Sequence, residues 1–160
     1  MSKIKFNLLN INHLIAVGFG SGLAPKAPGT FGSLAAVIFA YLYFYLIGNN
    51  IVFGILTIAL FFIGIHVCKR VTEDIKVHDH GSIVIDEIVA EFLIITCMPG
   101  KAIIWFILSF IIFRFFDVLK PYPISLADKK ISNAFGIMFD DILAAIYSLI
   151  TMYVIFLICN

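Results

Sequence analysis

Apolar residues along this chain fall into long uninterrupted runs, and polar residues gather between them. No charged residue occurs from Ser33 to Cys68, and Gly48-Asn49-Asn50 divides that stretch into two runs. Three more runs follow, so the pattern predicts helices at residues 33–47, 51–68, 84–98, 102–119 and 142–159. Because a helix of about 20 apolar residues can cross a bilayer, we expect an all-α polytopic membrane bundle with about 4–5 membrane segments.

The third and fourth runs are short for full crossings. Met98-Pro99-Gly100-Lys101 connects them, so they form either two spans or a re-entrant hairpin. Polar residues interrupt the first apolar stretch, behind Lys3 and Lys5, which argues against a cleavable signal peptide. We therefore expect residues 7–20 to form an N-terminal interfacial helix, with a weakly anchored span as the alternative.

Composition supports a membrane protein with one domain. The chain has 160 residues, of which 62% are hydrophobic and 13% charged, whereas a soluble domain carries about 25% charged residues. We expect one membrane-embedded domain over residues 1–160. Cys68, Cys97 and Cys159 lie in or beside apolar runs and give neither a disulfide framework nor a metal-binding spacing.

The basic residues orient the chain. If the N-terminus is cytoplasmic and five segments cross, every Lys and Arg except Lys101 lies on the cytoplasmic side. This distribution is the one expected from the positive-inside rule. The same arrangement puts the acidic clusters on the cytoplasmic side, so we expect a polar site on that face of the membrane.

Most of the ten acidic residues lie directly beside apolar runs. These are Asp79, Asp86, Glu87, Glu91, Asp117, Asp140 and Asp141. A charged side chain at the centre of a membrane helix costs roughly 2.5–3.5 kcal/mol on insertion scales, so such residues usually face a site, a partner or a metal. If a helix begins near Ile83, Glu87 and Glu91 share one face, with Asp86 beside them. Hard oxygen ligands of this kind suit Mg²⁺.

Simpler interpretations of these polar residues stay open. Asp86 with Glu87, and the Asp140–Asp141 pair, would also stabilise the start of a helix through its dipole. His78 and His80 are either ligands or acid–base groups, or residues of a solvated loop.

A glycine-rich segment, residues 18–33, precedes the first long run. Gly29 and Thr30 lie at or near the start of the predicted helix, where free amides and the helix dipole favour a phosphate. Lys26 adds a mobile positive charge nearby. The alternative is an ordinary capped loop before a membrane helix.

A second group of cations ends the fourth run. Arg114 and Asp117 are three residues apart and can pair on a helix surface. Arginine grips phosphate with two hydrogen bonds, and lysine acts as a point charge, so Arg114 and Lys120 are candidate phosphate ligands. The alternative is a basic flank with a local ion pair.

Carboxylates for Mg²⁺ and cations for phosphate together indicate phosphoryl transfer on a membrane phosphate.

The motifs resemble, in order, those of the phosphatidylglycerophosphatase A family of bacterial inner-membrane lipid phosphatases. The matching segments are GSGLAPKAPGTFGS at 20–33, Asp79 with IVIDE ending at Glu87, RFFDVLKPYP at 114–123, and GIMFDD at 136–141. The resemblance implies Mg²⁺-dependent hydrolysis of the terminal phosphate of phosphatidylglycerophosphate to phosphatidylglycerol, for phospholipid biosynthesis, at the cytoplasmic face.

Specific roles follow from the residues and the resemblance together. The expected metal-binding and catalytic residues are Asp86, Glu87, Asp117, Asp140 and Asp141, and the expected phosphate-binding residues are Lys26, Gly29, Thr30, Arg114 and Lys120. A water molecule activated by the metal is the expected nucleophile, and a carboxylate is the alternative. The expected partners are the lipid substrate and membrane lipids, with no nucleic acid; the oligomeric state stays open.

The chain departs from the family pattern at Ala90 and Ala145, where glycine is usual, and Glu91 lies outside the pattern.

Two other functions stay open. One is a phosphatase for another membrane phosphate, such as a polyprenyl carrier. The other is a non-enzymatic transporter of a small cation or phosphate. A transporter should carry acids deep in several spans, and three of the predicted spans have none.

Overall fold

A computed structural model describes residues 6–78 and 80–159. Lys3, Lys5 and Asp79 lie outside the described residues. The helices are α1 (Ile11–Ala16), α2 (Pro28–Leu46), α3 (Asn50–Ile75), α4 (Ile85–Cys97), α5 (Ile103–Leu119), α6 (Ile124–Lys130) and α7 (Ala134–Cys159), with a 3-10 segment at Gly18–Leu23. Over the described ranges there is no strand, which confirms the all-α prediction.

Three helices of the described chain, α2, α3 and α7, are long and apolar enough to cross a membrane. Helix α5 has 17 residues and α4 has 13. At 1.5 Å per residue, α4 is about 20 Å long, which is less than the roughly 30 Å hydrocarbon core. These lengths favour a hairpin of α4 and α5 over two full crossings.

Helix α4 lies at the centre of the bundle and packs against α2, α3, α5 and α7. Its sequence is apolar on nearly every side, as expected for a helix that is buried all round. Ala90 on α4 and Ala145 on α7 are both fully buried in the core that these helices share. The two positions where glycine was expected therefore do lie at close helix contacts, and the bundle accommodates both methyl groups.

The N-terminal helix is shorter than predicted. Helix α1 covers six residues rather than 7–20. Gly18, Phe19 and Gly20 adopt positive φ angles of 52°, 54° and 104°, so the helix cannot continue to residue 20. Leu9 and Ile11 are largely exposed, which is compatible with an interfacial segment. The backbone of Ala16 accepts a hydrogen bond from the amide of Val84, at 2.8 Å, and so ties this segment to the start of α4.

The last helix begins earlier than predicted. Helix α7 starts at Ala134 rather than near residue 142, and the Asn133 side chain accepts a hydrogen bond from the amide of Gly136, at 2.9 Å. Asn133 therefore provides the cap. The alternative in which Asp140 and Asp141 merely cap this helix is wrong, because both lie beyond its first turn and are buried.

Candidate functional site

Three carboxylates from two helices converge at one end of the bundle. Asp86 and Glu87 lie in the first turn of α4 and Asp141 lies on α7, and one oxygen of each is within 4.8 Å of the others. Asp86 and Asp141 are only 8% and 4% exposed. We call these residues the carboxylate triad. Like charges this close repel one another, an arrangement that favours a bound cation.

A guanidinium lies beside the triad. Arg114 Nη1 is 2.6 Å from Asp117 Oδ2 and 3.8 Å from Glu87 Oε1, which confirms the predicted pairing of Arg114 with Asp117. Asp117 also interacts electrostatically with Asp141. Arg114 thus contacts two of four neighbouring carboxylates, so the acidic groups of the site outnumber its guanidinium.

The first turn of α2 closes the other side of the site. Pro28 opens the helix after Ala27, whose φ is 49°, and Ser33 Oγ donates a hydrogen bond to the Gly29 carbonyl at 2.9 Å. A Cβ at Gly29 would collide with Oε1 of Glu87 and lie 3.2 Å from Nη1 of Arg114. The absence of a side chain at Gly29 therefore lets the helix N-terminus approach both charged groups.

The other predicted phosphate ligands lie at different depths. Thr30 is half-buried in the same turn as Gly29, whereas Lys26 lies exposed in the preceding loop. The structure therefore brings Gly29 and Arg114 to the triad, with Thr30 in the same turn as Gly29, while Lys26 lies exposed before this helix terminus.

Lys120 and Asp140 form a separate ion-pair group. Lys120 caps the C-terminus of α5 with φ 41°, and its Nζ donates hydrogen bonds of 2.6 Å to both Asp128 and Asp140. Although burial lowers the pKa of Lys120, these two hydrogen bonds and charges raise it above its ordinary value. Asp140 neighbours the triad but is engaged by Lys120. Asp128 was missed in the sequence, where it stands alone before two lysines.

Glu91 lies one turn deeper on α4 than Glu87. It is fully buried, and its carboxylate interacts with the side chain of Ser109. Arg114 is the nearby positive charge that acts on it. Glu91 does not belong to the triad.

The two histidines before α4 have different surroundings. His80 Nδ1 accepts a hydrogen bond from the amide of Ser82 at 3.2 Å, and its ring packs edge-on against Phe6. His78 instead lines a small polar cavity together with Asp128 and Asp140. His78 is therefore the histidine that lies near the site.

Fold and site together define a helical membrane protein with an acid-rich centre, flanked by an arginine and a helix N-terminus, at one end of its bundle. The sequence profile of the family Phosphatidylglycerophosphatase A matches residues 14–156. The chain belongs to the phosphatidylglycerophosphatase A family, as its motifs indicated.

Individual relatives agree with this assignment. Phosphatidylglycerophosphatase A of Haemophilus influenzae is 50% identical over 94% of this chain and 92% of its own length. Phosphatidylglycerophosphatase A of Escherichia coli is 39% identical, over 97% and 89%. A Bacteroides thetaiotaomicron protein with the provisional name phosphatidylinositol-3-phosphatase is 35% identical, over 88% and 91%. No solved structure matches the chain.

Proposed function

We propose that this protein hydrolyses the terminal phosphomonoester of phosphatidylglycerophosphate, releasing phosphatidylglycerol and phosphate, with Mg²⁺ as cofactor. The observation that carries the proposal is the carboxylate triad, which lies against Arg114 and the N-terminus of α2. The names of the Haemophilus and Escherichia relatives supply the substrate.

The triad fits a magnesium ion by charge and by donor type. Its three carboxylates are hard oxygen ligands, the type Mg²⁺ prefers, and Oε2 of Glu87 is buried without a hydrogen-bond partner in the described chain. Asp86, Glu87 and Asp141 would hold the ion, with Asp117 beside them. When bound, the ion supplies charge neutralisation at the phosphate oxygens.

The remaining residues of the site bind and orient the phosphate. Arg114 presents a guanidinium that Asp117 holds in place at 2.6 Å, and a planar guanidinium can donate two hydrogen bonds to one phosphate group. The amide end of α2 at Gly29 and Thr30 favours the same anion. Lys26 adds positive charge from the solvent side. These groups hold the phosphorus with one face directed at the triad, where the attacking oxygen, from water or a carboxylate, must approach.

A lipid substrate suits the location of the site. The helices below it expose large apolar side chains, including Ile38 on α2, Ile55 on α3 and Ile150 on α7. A bilayer would cover these surfaces and leave the triad near its headgroup plane. The positive-inside distribution supports the cytoplasmic face of the bacterial inner membrane for this end of the bundle.

The Bacteroides relative favours a second candidate substrate. Its provisional name refers to a lipid whose phosphate is carried by inositol. Phosphatidylinositol 3-phosphate shares with phosphatidylglycerophosphate a phosphomonoester on a hydroxyl-bearing headgroup, so it belongs in the substrate panel.

Purified protein in mixed micelles would test the activity. Phosphate release should be measured from phosphatidylglycerophosphate, phosphatidylinositol 3-phosphate, phosphatidic acid and a polyprenyl phosphate, with Mg²⁺ and with EDTA. We expect fastest release from phosphatidylglycerophosphate and loss of release in EDTA that added Mg²⁺ restores. Faster hydrolysis of another lipid phosphate would overturn the substrate, and full activity in EDTA would overturn the cofactor.

Cysteine labelling would test the orientation. In a background without native cysteines, single cysteines at Asn50, the first residue of α3, and at Lys129, on α6, give one reporter for each end of the bundle. Both positions are exposed. A membrane-impermeant maleimide added to spheroplasts should label position 50 and not position 129. The reverse result would place the site on the outer face.

A further inference from the structure

A small polar cavity of about 70 Å³ lies next to the carboxylate triad, on the side of the loop before α4. Three segments of the chain meet there, and the lining residues are His78, Asp128, Ile131, Gly136, Ile137 and Asp140. A Cβ at Gly136 would collide with the carbonyl oxygen of Ile131. The close approach of α6 to α7 at this glycine therefore forms one wall of the cavity.

The cavity is adjacent to the reacting centre. Asp140 precedes Asp141 of the triad directly, and Ile137 lies one helical turn before Asp141 on the same face of α7. The cavity therefore borders the part of α7 that carries Asp141.

The charges around the cavity decide what it can bind. Lys120 bridges Asp128 and Asp140 with hydrogen bonds of 2.6 Å, so two carboxylates face one ammonium. The surplus negative charge disfavours a phosphate. Each carboxylate offers about four acceptor positions, so both can accept further hydrogen bonds from a hydroxyl. A small neutral alcohol therefore fits, because a cavity of about 70 Å³ exceeds the roughly 10–15 Å³ that one water molecule needs.

We propose that this cavity binds the free hydroxyl of the headgroup glycerol, the alcohol that carries the scissile phosphate. The proposal rests on the proposed function. It names the part of the substrate, besides the phosphate, that the enzyme recognises. Asp128 or Asp140 accepts the hydrogen bond that the hydroxyl donates, and His78 lines the cavity from the loop before α4. A lipid whose phosphate is carried by a headgroup without a free hydroxyl leaves these acceptors unused.

The test compares phosphatidylglycerophosphate with the same lipid built on propane-1,3-diol, which lacks only the headgroup hydroxyl. We expect wild-type protein to prefer the natural lipid by roughly 10-fold or more in kcat/KM, since hydrogen bonds to charged groups are stronger than neutral ones. Asp128→Asn and His78→Ala should each reduce that preference several-fold, mainly by slowing the natural lipid. Because both lipids are assayed on one preparation, the ratio does not depend on the folded fraction.

His80→Ala is the matched control, because His80 precedes the same helix but packs against Phe6. Its substrate preference should equal that of wild-type protein. Equal hydrolysis of both lipids by wild-type protein would overturn the subsite while leaving the proposed function intact. An equal loss on both lipids in the Asp128 and His78 variants would also overturn it. If neither lipid is hydrolysed while another lipid phosphate is, the proposed function itself fails.

Discussion

Two lysines lie at opposite ends of α5, and their surroundings differ. Lys101, before the helix, donates a hydrogen bond to the Ile95 carbonyl and lies 4.6 Å from the centre of the Phe44 ring. Burial lowers its pKa to about 8. Lys120, after the helix, is also partly buried, but Asp128 and Asp140 raise its pKa.

The difference shows how the bundle separates its two ends. At the Lys101 end the partners are a carbonyl dipole and an aromatic face, which compensate the loss of water only partly. At the Lys120 end carboxylates meet the cations, and the triad and Arg114 lie close by. Fixed charge of both signs is therefore gathered at one end, where a charged phosphate and a cation can be held together.

The largest expected effect comes from removing a charge of the triad. Asp86→Asn and Asp141→Asn should each lower kcat by on the order of 100-fold or more, because a metal ligand and its charge are lost. The fold should survive, since the remaining carboxylates repel less. Phosphate release at increasing Mg²⁺, with a melting curve of each variant, measures both.

Glu73→Gln, an exposed carboxylate near the end of α3, is the control and should leave kcat unchanged. Full turnover of both triad variants at saturating Mg²⁺ would show that these residues do not bind the metal. The Lys120 end of the bundle would then no longer differ from the Lys101 end by holding a cation.

Arg114→Lys should lower kcat/KM by roughly 10–100-fold, about 1.4–2.8 kcal/mol. Lysine keeps the charge but loses the planar fork that holds two phosphate oxygens. The exposed Arg70→Lys on α3 is the matched control and should behave as wild type. An Arg114→Lys enzyme with wild-type kinetics would leave Lys26 as the predicted phosphate ligand to examine, since Asp128 and Asp140 engage Lys120.

Asp117→Asn separates two roles of that carboxylate. If Asp117 binds the metal, the variant needs more Mg²⁺ for half of its maximal activity. If Asp117 only orients Arg114 through the 2.6 Å contact, the Mg²⁺ dependence stays unchanged and KM for the lipid rises. Titrating Mg²⁺ at fixed lipid, and then lipid at fixed Mg²⁺, distinguishes the two.

Gly29→Ala should slow phosphate release while changing the free energy of unfolding little, because the added methyl meets the end of the Glu87 side chain, which can move. The added methyl collides with the Glu87 carboxylate, which must move away from the triad. Gly81→Ala is the control, because a Cβ there meets nothing within 4 Å. Thermal unfolding of the two variants should be similar, whereas their kcat values should differ clearly; equal kcat values would mean that α2 does not approach the site so closely.

The smallest effect concerns the two lysines themselves. With a pKa near 8, about half of the Lys101 amines are neutral and nucleophilic at pH 8, whereas Lys120, with its raised pKa, stays protonated. Brief acetylation at pH 8 followed by mass spectrometry should modify Lys101 at least several-fold more than Lys120. Equal modification would contradict the contrast between the ends of α5.

Local patterns in the sequence were sufficient to predict the features that depend on a single helix. The apolar runs determined an all-α membrane protein, because helices satisfy their own backbone groups in lipid. The three-residue spacing of Arg114 and Asp117 determined their ion pair, since such residues neighbour each other on any helix. The predicted helix start near Ile83 lies within two residues of the observed start at Ile85, because the apolar run begins there.

Tertiary structure alone decided which groups meet. Asp141 joins Asp86 and Glu87 because α7 begins at Ala134 and passes α4 with its second turn. Lys120 bonds Asp128 and Asp140 rather than facing the triad alone. The convergence of these residues depends on the rotation and relative height of packed helices. Spacing along one chain segment carries no information on either quantity, because long-range packing sets both.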